Sequence, residues 1–243
     1  MRRLFTFGLV SLCLVICATS ALADKQLEVR ALSDVQVQVA GEAMRVSDCV
    51  VGNTNDPAYA ITDWVYGAES YAQVAWPFLE CGVCPLGFQP TEVHLLVQFG
   101  PEDVPVTFDA AAGIATATSC SMPICCDSPL YEYCVSDVYS ITIDTPGLYD
   151  LALPVTCDCA FVNYVYFLTF HFLTPFGEAQ RPDLVTDDVP RECVSFNDYG
   201  AGWEDLNGYG FPGSIVMYAD AACCEQPVNE TPSTWGGVKS LYR

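Results

Sequence analysis

The sequence predicts an all-β protein: an antiparallel β-sandwich, jelly-roll-like in arrangement and stapled by disulfides. Three observations predict it. Apolar residues recur at every second position along most of the chain, the period that places alternate side chains on one face of a strand. The runs are short and divided by Gly, Pro, Asn and Asp, the residues of tight turns. Cysteines are frequent, and even in number in a chain that reads as exported, which is the signature of a disulfide framework.

The elements follow in chain order. Arg2 and Arg3 precede an apolar run from Leu4 to about Ala18, and Ala21-Leu22-Ala23 supplies the small residues of a cleavage site. That is the pattern of a secretory signal, too short for a stable membrane span. Residues 1–23 are therefore expected to be removed, with Asp24 first in the exported chain, and residues 24–225 to form the sandwich. Val35, Val37 and Val39 alternate with polar residues, in what reads as a leading arm or edge strand. Strands are expected near 59–65 and 71–76. Val93, Leu95, Val97 and Phe99 mark the inward face of another, and 104–109 and 114–118 read as two more. Residues 138–144 and 148–155 form a pair joined by Thr145-Pro146-Gly147, where Pro and Gly suit a tight turn. Residues 160–174 make the longest candidate, with Val162, Tyr164, Tyr166, Leu168, Phe170 and Phe172 facing the core. Strands near 193–197 and 214–219 complete the body, in which no helix is expected. Gln226 begins a polar, Pro-containing linker (226–233), and 234–243 is a short tail. Trp235, Val238, Leu241 and Tyr242 would share one helical face there, suited to an export or sorting receptor.

Charge narrows the partners. Beyond residue 23 there are seven Lys and Arg against 30 Asp and Glu, a formal charge of −23, and no Lys or Arg occurs between Val46 and Gln180. Nucleic acid is excluded as a partner, since phosphate binding needs basic side chains. Anionic membrane surfaces are disfavoured for the same reason. Acidity of this degree keeps a protein soluble, and it also offers oxygen ligands to hard cations.

Of 14 cysteines, Cys13 and Cys17 fall in the signal and twelve remain. Cys81-Gly82-Val83-Cys84 has redox spacing but lacks a βαβ setting, so disulfides are expected, with open pairing. The two histidines, His94 and His171, each fall on the more polar face of a strand. Nothing in their spacing brings them together, and they read as separate surface residues. The 181–213 segment is the richest in chemistry. Asp187, Asp188, Asp198 and Asp205 lie among glycines in a pattern that suits calcium, although no calcium loop of known spacing is present. Tyr199, Trp203 and Tyr209 beside them suit stacking on sugar rings. The competing reading makes Trp203 and Phe211 core anchors and leaves the acids solvated.

The order CPLGFQ…VHLLVQF, PGLYDLALP…CDCAFVNYVYFLTFHFLT, RPDLVTDD…CVSFNDYGAGWEDL…GFPGSIVMYADAACC, with the tail STWGGVKSLYR, resembles a group of uncharacterised secreted proteins of uncultured bacteria. That resemblance implies an extracellular setting and carries no activity or site residues. The expected role is a secreted, non-catalytic module for an extracellular glycan or other ligand, with calcium as the expected cofactor if there is one. A structural, adhesive or surface-coat protein is the alternative. A hydrolase ranks third, since no nucleophile elbow or zinc-protease helix is present.

Overall fold

The computed structural model describes residues 28–32, 37–40, 48–116, 128–129, 131–162, 164–177 and 180–225. The expected signal, linker and tail lie outside them. The described strands form an eight-stranded and a seven-stranded sheet, packed face to face as a disulfide-stapled, jelly-roll-like β-sandwich. The first sheet contains β1 (Glu28–Ala31), β2 (Val37–Ala40), β3 (Cys49–Gly52), β4 (Tyr59–Thr62), β6 (Phe88–Phe99), β10 (Gly147–Pro154), β12 (Asp183–Thr186) and β15 (Met217–Cys223). The second contains β5 (Glu69–Ala75), β7 (Val106–Thr116), β8 (Tyr131–Val135), β9 (Tyr139–Ile143), β11 (Tyr166–Phe172), β13 (Ser195–Asp198) and β14 (Glu204–Asp205). All described pairings are antiparallel except β2 with β10.

β6 organises the first sheet. One edge pairs with β10 from Glu92 to Phe99. The other takes β15 along Phe88 to Leu95 and then β12 at Val97 and Gln98. Strict alternation sends Val93, Leu95, Val97 and Phe99 into the core and leaves Glu92, His94, Leu96 and Gln98 on the outer face. In the second sheet β11 lies between β5 and β7, with Leu168, Phe170 and Phe172 inward and Phe167, Thr169 and His171 outward.

The structure changes several expected boundaries. Residues 104–109 and 114–118 are not two strands, because Val106–Thr116 runs unbroken. β11 begins at Tyr166, not at 160, and Tyr164 is exposed instead of inward. Two disulfides explain this: Cys157 and Cys159 are tied to Cys134 and Cys224. Ala160 is held in an isolated bridge to Phe88, so the chain turns there before the strand can start. A one-turn helix, α1 (Pro77–Glu80), also stands where no helix is expected. Pro77 supplies a helical φ at its first position. The Glu80 carboxylate closes the turn by accepting from the Trp76 and Gly52 amides.

Candidate functional site

Of the residues singled out in 181–213, three carboxylates are engaged by amides in separate places. Asp187, at the end of β12, is fully buried. Its Oδ1 accepts from the Val189 and Ser214 amides at 3.0 and 2.8 Å. Its Oδ2 accepts from the Asn53 and Asn55 side chains at 3.1 and 2.7 Å. Asp198 Oδ1 accepts from Gly200 and Gly202, both at positive φ. Asp205 caps the 3-10 turn at Leu206–Tyr209, and its other oxygen accepts from the Cys193 amide. Asp188 is exposed. These are the bonds by which short acidic side chains organise loops.

The aromatic residues of that segment divide. Tyr199 and Tyr209 come together, hydroxyl to hydroxyl at 3.5 Å. Tyr199 also donates to Glu204, and that hydrogen bond raises the phenol above its ordinary range. The exposed Tyr209 ring stands edge-on to Trp64 at 5.2 Å. Trp203 is half-buried and packs against the apolar cluster that contains Ala72, Val74, Phe167 and Phe196, on the outer face of the second sheet. Phe211 is buried against Trp64.

A second aromatic surface is not apparent from strand periodicity. Phe161 and Tyr164 are 66% and 62% exposed, with ring centroids 6.4 Å apart. Tyr131 and Tyr133 on β8 are exposed as well, and the Tyr133 hydroxyl donates to the Cys159 carbonyl. The Cys134–Cys157 and Cys159–Cys224 disulfides tie β8, this loop and the end of β15 together.

The two histidines occupy opposite outer faces, so they do not form one site. Neither is a simple surface residue. His171 is half-buried. Its Nδ1 lies 2.7 Å from Ser70 Oγ, and its Nε2 lies 2.7 Å from Glu132 Oε1. The hydrogen bond from His171 holds the Glu132 carboxyl below the usual carboxylate range. The order serine, histidine, carboxylate is that of a nucleophile relay. Ser70 nevertheless sits within β5 between β11 and β13, where the flanking amides belong to ladders and are not aimed at an oxyanion.

His94 is buried on the outer face of the first sheet, among Glu92, Asp150, Tyr218 and Asp220. Glu92 and His94 are two apart on β6, and the ladder sets Tyr218 beside His94 and Asp220 beside Glu92. All four side chains therefore rise from one face of two neighbouring strands. His94 Nδ1 lies 3.1 Å from each oxygen of Asp150, which also accepts from the Tyr218 hydroxyl at 2.7 Å. The Tyr218 ring stacks on the imidazole at 4.4 Å and 7°. Burial opposes the imidazolium, but the hydrogen bond and charge of Asp150, with Glu92 and Asp220, outweigh it and raise the His94 pKa. The sequence signal for this cluster is Glu92 and His94 on the non-core face of a long apolar strand. Their partners Asp150 and Asp220 come from remote segments and need the ladder to be found. No protein-family model matches the chain, and no curated protein or solved structure matches it.

Proposed function

We propose that the chain is an exported, non-catalytic binding module for an extracellular glycan or comparable ligand. The observation that carries this reading is the disulfide-anchored aromatic rim of Phe161 and Tyr164, to which Tyr133 is tied through the Cys159 carbonyl. Exposed rings offer a flat face to the C–H side of a sugar. Rings held on a cross-linked loop also lose less conformational freedom on binding than rings on a loose one. Tyr199 and Tyr209 form a second, smaller aromatic pair on the other loop segment. The disulfides, together with the lack of any described helix long and apolar enough to cross a membrane, support an extracellular or periplasmic setting.

Affinity electrophoresis against a panel of soluble polysaccharides tests the reading. Retardation by at least one polymer, lost in Phe161→Ala/Tyr164→Ala and kept in Tyr199→Phe/Tyr209→Ala, is the expected result. Loss confined to the second variant would move the site to the 199–209 loop. Repeating the run in chelator and in calcium tests whether binding depends on that ion.

A structural role at a surface is the second reading, favoured by the exposed apolar side chains of Phe78, Leu79 and Val83 around α1. Concentration-dependent self-association in sedimentation experiments would support it over glycan binding.

A further inference from the structure

We infer that Glu92, His94 and Asp220 form a binding site for one divalent transition-metal ion of the zinc class, with Asp150 as a positioning residue. His94 Nε2 is buried and has no hydrogen-bond partner among the described residues. It points between Glu92 Oε2 at 3.9 Å and Asp220 Oδ2 at 3.7 Å, and the three donor atoms all lie within 4.8 Å of one another. Zinc bonds to nitrogen and carboxylate oxygen of about 2.0–2.2 Å set tetrahedral ligands about 3.4 Å apart. Side-chain shifts of a few tenths of an ångström close the two distances from Nε2, and the two carboxylates, at most 4.8 Å apart, close theirs by rotating toward the ion. The donors come from adjacent positions on two paired strands, so the backbone already holds them in place.

The spacing around Nε2 suits an ion. A hydrogen bond from an imidazole N–H to a carboxylate is about 2.7–2.9 Å long. Here both carboxylates stand 3.7 Å or more from Nε2, a gap sized for an ion between them. A neutral imidazole with nothing on Nε2 would leave a buried polar atom unsatisfied, which is costly. The far side of the ring is arranged as metal-bound histidines usually are. A carboxylate, Asp150, stands 3.1 Å from Nδ1, and the tautomer that donates to it from Nδ1 presents the Nε2 lone pair to an ion. Tyr218 secures that carboxylate and clamps the ring by stacking. One imidazole with two carboxylates selects for zinc and its neighbours. Calcium takes more ligands, all of them oxygen.

The site shares no residue with the aromatic rim, so zinc uptake and glycan binding are read out independently. The experiment uses the folded, disulfide-bonded protein, stripped with chelator and titrated with zinc alone. Bound metal is read by elemental analysis, and coordination by the visible bands of the cobalt-substituted form. The expected result is one zinc per chain and a raised Tm. Asp220→Asn and His94→Gln should abolish binding while the metal-free Tm stays near that of metal-free wild type. Asp150→Asn should keep the one-to-one stoichiometry and the cobalt bands but weaken affinity about 10–100-fold. No zinc uptake by folded wild type would overturn the assignment. So would undiminished uptake by the Asp220→Asn and His94→Gln variants, or a site that takes calcium and refuses zinc.

Discussion

Asp183 on β12 is buried, with Arg30 of β1 as its ion-pair partner. Burial is the largest influence on the carboxyl and pushes it up to about 7, aided by repulsion from Asp103, Asp63 and Glu102 and opposed by Arg30. In the unfolded chain the same group titrates near pH 3.9, as a free Asp does. Between those values the folded protein holds a proton that the unfolded chain has released. Stability from this group is therefore full below about pH 4 and falls as pH rises to about 7. Three pH units at 1.36 kcal/mol each set a ceiling of roughly 4 kcal/mol. Urea unfolding at pH 4.5 and 7.5 should show Asp183→Asn gaining on wild type at the higher pH. A constant difference would mean that Arg30 keeps the carboxylate charged throughout. Glu80 and Asp103 are raised by burial too, which adds to the trend with the same sign.

Strand β7 shows what one residue does for an element. Gly113 pairs with Thr169 on one side and with Val135 of β8 on the other, beside the bulge that follows Ile114. A Cβ there would lie 2.3 Å from the Cys134 carbonyl, so alanine fits only if the backbone moves. Gly113→Ala should destabilise the fold by about 1–3 kcal/mol, the usual range for overpacking, read as a lower midpoint in denaturant. The bulge lets Glu132 reach His171 on the outer face while Cys134 turns inward to its disulfide. Strand positions and inward faces were legible wherever alternation was clean, as in Val93–Phe99 and Leu168–Phe172. The unbroken β7 was not, because Ala110, Ala111 and Ala112 carry too little contrast to mark a face. Tyr164 matches the spacing of the core positions, and only the pairing of Cys157 and Cys159 shows why the strand starts later. Of the candidate metal site, Glu92 and His94 show on a strand, but a ladder spanning 128 residues is needed to bring Asp220 to them.

Across the whole molecule, the even cysteine number was readable as a framework and the pairing was not. Cys81 and Cys84 do not pair with each other but with Cys49 and Cys223. The neighbours Cys223 and Cys224 diverge to Cys84 and Cys159. These bridges close separations of 23 to 139 residues, for which chain entropy gives about 3–5 kcal/mol each. Peptide mapping without reduction should recover these four links, and alkylation before reduction should label none of their eight thiols. Reduction should lower Tm sharply, and an unchanged Tm would show the sandwich to be stable without its staples. β15, the last of the described strands, lies between β6 and β3 in the first sheet. A chain delivered N-terminus first, from a ribosome or through a translocation pore, therefore cannot close that sheet until residue 223 has emerged. Cys49–Cys81 and Cys134–Cys157 can form on the way, whereas the bridges to Cys223 and Cys224 must wait. The topology thus keeps the first sheet open and threadable until the last of the described strands arrives to seal it.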